Sequence, residues 1–180
     1  MRPIIIGIGG AYSGAGKTTI ACEVLKKLKK WGAIKYTKTS LYCSIIDDIN
    51  VISEEGKDTR RLLDSGAEKV LWVQSPVSEL PESLSVAVEM LSYLKGIVVE
   101  GNTAIEILKP DLVIFVSGVE KKIKKGADRI LAIADVVIFQ KKAPARIPEG
   151  AKRFQLDEVE KWLNLVIGHI NESEDNRQFR

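Results

Sequence analysis

The segment that most constrains this chain of 180 residues runs from Ile4 to Thr19. An apolar stretch, Ile4-Ile5-Ile6-Gly7-Ile8, meets a glycine-rich run, Gly9 to Gly16, and then residues with helical periodicity. This reads as strand, loop and helix, with Gly16-Lys17-Thr18 where the loop enters the helix. Glycines let successive backbone N–H groups turn inward and form an anion-binding concavity. The start of a helix adds partial positive charge at the same place. A lysine there reaches the outer phosphates of a nucleotide, and a hydroxyl beside it is placed for Mg²⁺. Ser13, Gly14, Ala15, Gly16, Lys17, Thr18 and Thr19 are therefore the expected phosphate-binding residues, with Lys17 catalytic and Thr18 a metal ligand.

The spacing fits the P-loop pattern G-x-x-x-x-G-K-[ST] except at its first position. Ala11 stands where the pattern has glycine, and Gly10 is one place early. Alanine there is expected to cost the loop easy access to positive φ.

The length suits one domain with a substantial core, expected to span residues 1–171, followed by a flexible polar tail at 172–180. Apolar residues make up 45% and charged residues 28%, as in ordinary globular chains. The net charge of +3 is too small to argue for nucleic acid or membrane as a partner. Cys22 and Cys43 have neither metal spacing nor a CxxC pattern, so free thiols and a cytoplasmic location are expected. No apolar run approaches the ~20 residues of a membrane-spanning helix.

Downstream of the loop, Ile20, Val24, Leu25, Leu28 and Trp31 recur at helical spacing, with Gly32 as the expected stop. Strands are expected at 33–38, 69–74, 96–100, 111–116, 135–140 and 153–156. Helices are expected at 57–65, 82–94, near 125–134 and along the apolar stripe from Val159 to Ile170, with a helical turn at 103–108. Residues 39–55 read as a mobile connector containing a short strand pair or a helix. Trp31, Trp72 and Trp162 are expected in the core. The alternation predicts an α/β fold with three layers, a mostly parallel sheet covered by helices on both faces. In such sheets ligands bind beyond the C-terminal strand ends.

Chemistry is therefore sought at those ends. Glu100 closes the strand Ile97-Val98-Val99, where a Walker B carboxylate holds Mg²⁺ or orients the attacking group, so it is expected as a catalytic and metal-binding residue. Lys35 and Lys38 end the second strand and are expected to meet phosphate or an anionic substrate. Asp47 and Asp48 read as a solvated acidic turn, with metal binding as the alternative. Asp58 reads as a helix cap, and Arg60 and Arg61 as solvated unless one approaches transferred phosphate. His169 reads as structural or exposed, and Lys121–Lys125 as solvated surface.

Tyr12-Ser13-Gly14-Ala15-Gly16-Lys17-Thr18-Thr19, the strand containing Lys35, Gly56-Lys57-Asp58-Thr59-Arg60 with Ser65-Gly66-Ala67, and Val99-Glu100-Gly101 together resemble the molybdopterin-guanine dinucleotide biosynthesis protein B family. The resemblance covers roughly residues 3–120. It implies a P-loop NTPase fold, GTP with Mg²⁺, Asp58 among the binding residues, a homodimer, and assistance to a separate molybdopterin nucleotidyltransferase. Lys35-Tyr36-Thr37-Lys38 departs from the family's Lys-His pattern, which favours a different substrate. Gln140-Lys141-Lys142-Ala143 does not match the Asn-Lys-x-Asp guanine motif, so the residues leave GTP and ATP open. Two alternatives to a slowly hydrolysing accessory protein stand beside it. One is an ATP-dependent small-molecule ligase or kinase resembling dethiobiotin synthetase; the other is a non-catalytic nucleotide switch.

Overall fold

The computed structural model describes residues 2–119 and 123–178. Its first strand, β1 (Ile4–Gly10), is buried along its whole length, because helices cover both sides of the sheet it occupies. The chain continues through α1 (Lys17–Leu25), β2 (Trp31–Lys38), β3 (Ser44–Ile46), α2 (Ile49–Ile52), α3 (Asp58–Asp64) and β4 (Val70–Ser75). It then forms α4 (Leu80–Met90), β5 (Gly96–Glu100), α5 (Asn102–Leu108), β6 (Leu112–Gly118), α6 (Ala127–Ala132), β7 (Val136–Phe139), β8 (Lys152–Gln155) and α7 (Val159–Gln178). The strands order as β3-β4-β2-β5-β1-β6-β7-β8. Every neighbouring pair is parallel except β3 with β4, which is antiparallel at one edge.

Side-chain alternation divides the sheet into two faces. Ile4, Ile6, Ile8, Ala33, Val70, Val98, Ile114 and Val116 pack with α1 and α7. Ile5, Ile34, Val73 and Val99 pack with α4. Val113, Phe115 and Val137 pack with α5 and α6. The parity that sends Ala33 and Val98 toward α1 also sends Lys35 and Glu100 there.

Four local expectations change. Helix α1 stops at Leu25, and Trp31 and Gly32 belong to β2 rather than to the helix and its cap. Lys30 takes the left-handed turn at φ 62°. The Trp31 ring lies over Gly96, its register partner, and Leu94 and Leu91 press on Gly32. Both glycines are thus needed for close approach inside a sheet, which a helix-stop reading of Gly32 mistakes for a cap. Trp31 and Trp162 are fully buried as expected, but Trp72 is only half-buried. Residues 39–55 contain β3 and the single-turn α2, whose N-cap Asp48 accepts from Asn50 N–H at 2.9 Å. Helix α7 continues past its apolar stripe to Gln178.

Candidate functional site

The loop between β1 and α1 turns on Gly14 and Gly16, with φ of 86° and 103°. A side chain at either would be strained. Ala11 is not such a position. It lies outside the positive-φ residues, its N–H donates to Val116 O at 2.9 Å, and its methyl is fully buried in the cluster containing Ile105 and Phe115. The expected cost of losing that glycine is therefore absent. The demand for a small residue falls at Gly10, where a Cβ would press on Lys17 Cγ at 2.9 Å and Val116 O at 3.1 Å.

Asn102, the first residue of α5, fixes the loop from below. Gly10 N–H donates to Asn102 Oδ1 at 2.9 Å, and Asn102 Nδ2 donates to Gly10 O at 3.0 Å. This one amide satisfies both backbone groups at the end of β1, a role that the sequence reading missed. The signal available was its place directly after Glu100-Gly101.

Lys17 opens α1 and donates from Nζ to Tyr12 O at 3.1 Å. Burial pulls its ammonium below the ordinary lysine value. Glu100 opposes that shift and Lys35 reinforces it. Thr18 is buried, and its hydroxyl donates to Glu100 Oε2 at 2.8 Å. Ser13 and Gly14 are exposed at the loop's crest, Ala15 is buried beneath it, and Thr19 faces outward.

Register brings the remaining groups together. Lys35 pairs with Glu100 across β2 and β5. Its Nζ lies 2.5 Å from Glu100 Oε1 and 2.8 Å from Asp58 Oδ2, a carboxylate on the first turn of α3. Burial disfavours the Lys35 charge, but Glu100 and Asp58 outweigh it and raise the ammonium above its ordinary value. Burial likewise disfavours ionised Asp58. The Lys35 hydrogen bond and charge, with help from Thr18 and Arg61, prevail and hold its carboxyl below the usual range.

Arg61 donates from Nη2 to Thr19 Oγ1 at 3.0 Å and stands 3.6 Å from Asp58. Arg60 turns away, bonding Asp64 at 2.8 Å and Ser53 O at 2.7 Å. Lys38 is exposed three residues beyond Lys35, an odd offset that puts it on the opposite face and outside the cluster.

Asp47 pairs with Lys69 at 2.8 Å, before the start of β4 and away from the loop, so both connector acids serve the turn. His169 bonds Asp111 O at 3.0 Å, just before β6 and at the end of the strands opposite the loop. Lys121 and Lys122 lie outside the described residues, while Lys124 and Lys125 are exposed. Cys22 and Cys43 are both free thiols.

A cleft of about 150 Å³ opens beside the cluster, lined by Lys35, Thr37, Lys57, Asp58, Thr59 and Trp72. Trp72 Nε1 donates to Thr37 Oγ1 at 3.0 Å, so its ring face is what the cleft receives. Lys57 Nζ stands 5.0 Å from that ring's centroid and is ion-paired with Glu54. Trp72 follows the parity of Val70 toward α3, which explains why an apolar-looking strand residue ends beside the site rather than in the core.

Two solved structures share this arrangement of strands and helices. HypB from Helicobacter pylori, crystallised in complex with nickel, aligns with a TM-score of 0.58 at 14% identity, over 96% of this chain and 89% of that one. A plasmid partition protein from Borrelia burgdorferi aligns with a TM-score of 0.51 at 15% identity, over 93% and 99%. The fold is that of the P-loop NTPases. No protein-family model matches the chain, and no curated protein matches it. Among the described residues no helix is long and apolar enough to cross a membrane.

Proposed function

We propose that this P-loop protein binds a Mg²⁺–nucleoside triphosphate between the Ser13–Thr19 loop and Glu100, and hydrolyses it slowly. The observation that carries this is the convergence of the Thr18 hydroxyl and the Glu100 and Asp58 carboxylates at the start of α1. These are hard oxygen donors, the kind Mg²⁺ takes. One or two carboxylates with substrate phosphates suffice for that ion. Held by Thr18 and Glu100 with Asp58 beside them, such an ion would supply positive charge against that of the phosphates. Lys17, whose ammonium lies over the loop at Tyr12 O, would meet the outer phosphates, and Lys35 would stand beside the same ground.

The resemblance to the molybdopterin-guanine dinucleotide biosynthesis protein B family makes GTP the favoured nucleotide. It also makes an accessory role beside a molybdopterin nucleotidyltransferase, in a homodimer, the favoured biology. Calorimetric competition of Mg²⁺–GTP against Mg²⁺–ATP tests the nucleotide. Binding of both with equal weakness in wild-type protein and Lys17→Ala would overturn the site itself.

The Trp72–Lys57 cleft supports a second reading, an ATP-dependent ligase or kinase. Its Lys57 ammonium and Trp72 face adjoin Lys35 and Asp58, so a small anionic acceptor seated there would lie next to the cluster. Nucleotide turnover that rises steeply with an added acceptor, rather than with a partner protein, would favour this reading.

A further inference from the structure

A second groove lies away from the P-loop helix. Strand β6 sends Ile114 and Val116 toward α1, and Val113 and Phe115 toward α6. Ser117 continues the second row. It is 5% exposed, and its Oγ has no hydrogen-bond partner among the described residues. Two apolar residues followed by a buried, unanswered hydroxyl is an uncommon end for a core row, since buried polar groups are nearly always paired.

Ser117 lines a groove of about 750 Å³ between α6 and the segment after β7. That volume falls within the range of small-molecule sites. Leu131 and Ala132 form one wall, and Pro144, Ile147 and Pro148 much of the other. The prolines fix their own φ and bring no N–H, so this wall is stiff and mostly apolar. Lys142 and Arg146 stand at the groove with exposed side chains. Asp128 also lines it, with Oδ1 accepting from Gly126 N–H at 3.0 Å. The rim is therefore net positive.

We propose that this groove binds a small organic acid: an apolar body between the α6 and proline walls, a carboxylate toward Lys142 and Arg146, and one neutral hydrogen-bonding group answering Ser117. Ile123 also lines the groove, and its neighbour Lys124 donates its backbone N–H to Ala11 O at 2.9 Å. The groove thus adjoins the P-loop through this contact, while the residues assigned to the acid, Ser117, Lys142 and Arg146, lie outside the Ser13–Thr19 loop.

The test uses the full chain and 3-(4-hydroxyphenyl)propionate as probe, followed by calorimetry and saturation-transfer NMR. Two controls each lack one feature: 3-phenylpropionate has no hydroxyl and 4-propylphenol no carboxylate. The probe is expected to bind saturably, and about tenfold or more tighter than 4-propylphenol, the worth of one charge-assisted contact. Replacing both rim cations, Lys142→Ser with Arg146→Ser, is expected to erase that difference. Ser117→Ala is expected to erase the preference over 3-phenylpropionate. Ala132→Trp, at an exposed position on α6, is expected to block all three ligands while leaving circular dichroism and the unfolding midpoint unchanged. Absence of saturable binding, probe binding undiminished in Ala132→Trp, or displacement of the probe by Mg²⁺–ATP or Mg²⁺–GTP would each overturn the assignment.

Discussion

Lys35 and Glu100 face each other across neighbouring parallel strands, with the ammonium 2.5 Å from one oxygen of a carboxylate that is itself almost fully buried. The other oxygen of that carboxylate takes the Thr18 hydroxyl. Glu100 is thus satisfied on both sides, by a cation and by the first turn of the helix that the glycine loop feeds. On the reading proposed above, Lys35 occupies ground that a hard cation would share. Binding Mg²⁺–nucleotide would then turn Lys35 from a carboxylate partner toward phosphate.

Removing Lys35 should therefore cost stability as well as binding. Lys35→Met leaves Glu100 buried without its counter-charge, a change worth about 3–5 kcal/mol for buried pairs. Asp58 is partly exposed and adds little to that figure. The pH dependence has a defined sign. Lys35 titrates above its unfolded value, so its contribution is complete below about pH 10 and is lost as pH rises through the folded value. Asp58 titrates below its unfolded value, so its contribution is present above about pH 4 and is lost as pH falls through the folded value. Urea midpoints from pH 3 to 11 should show the alkaline decline in wild-type protein and its reduction in Lys35→Met. Parallel curves for the two proteins would contradict this assignment of the pair.

Asn102→Ala should loosen the loop from beneath. The amide answers both backbone groups of Gly10, and losing two hydrogen bonds at a largely enclosed strand end costs about 2 kcal/mol. Hydrogen exchange at Gly10 and Ala11 is the local readout. Faster exchange there, with the rest of the sheet protected as before, is expected. Unchanged protection at both amides would show that the loop is held by something else.

Much of this site was legible in the sequence because it depends on parity and on strand ends. Glu100 and Lys35 each follow an apolar row, and a parallel sheet brings such ends to one edge. Asp58 entered only through the resemblance, since nothing in a short polar helix says which strand its first turn will meet. Trp72 was misplaced for a related reason. Its strand is apolar enough to be core, and only the sheet order, with β4 next to the edge strand β3, leaves the ring half-covered. The end of α1 is hidden in the sequence because Trp31 falls at helical spacing from Leu28 by coincidence of the turn. Ala11 shows the reverse limit. A motif position lost its glycine without cost because the backbone there never needs positive φ.

Lys17→Ala should weaken triphosphate affinity by about 2–4 kcal/mol, the penalty for truncating one partner of an enclosed charged contact. Glu100→Gln separates metal from nucleotide. It keeps the shape beside Thr18 and removes the charge, so binding of nucleotide without Mg²⁺ should persist while the Mg²⁺ requirement for tight binding rises. The same variant should lose stability, since Lys35 keeps only Asp58 as an ionic partner. A Mg²⁺ titration that superimposes wild-type and Glu100→Gln would remove Glu100 from the metal site.

Unaided hydrolysis should be slow, well below the ~10 s⁻¹ typical of enzymes. The groups gathered at the loop are lysines, carboxylates, threonines and Arg61. Among the described residues of this group there is neither histidine nor glutamine, the side chains best suited to orient an attacking water. His169 is bonded to Asp111 O at the N-terminal end of β6, and Gln74 accepts from Tyr42 and Ser44 beside β3. Arg60 is committed to Asp64 and Ser53, and Arg61 is tied to Thr19 and Asp58. An arginine held by two partners lends little charge to a transition state until something releases it. P-loop proteins in that condition gain about 10³–10⁵-fold when a partner supplies or frees such a group. Steady-state assays should therefore show turnover that rises with protein concentration, acceptor or partner, and Arg61→Ala should abolish the stimulated rate while leaving the basal rate within about twofold. Purified protein at high dilution that turns over GTP or ATP several times per second would refute this and leave the small-molecule ligase reading in its place.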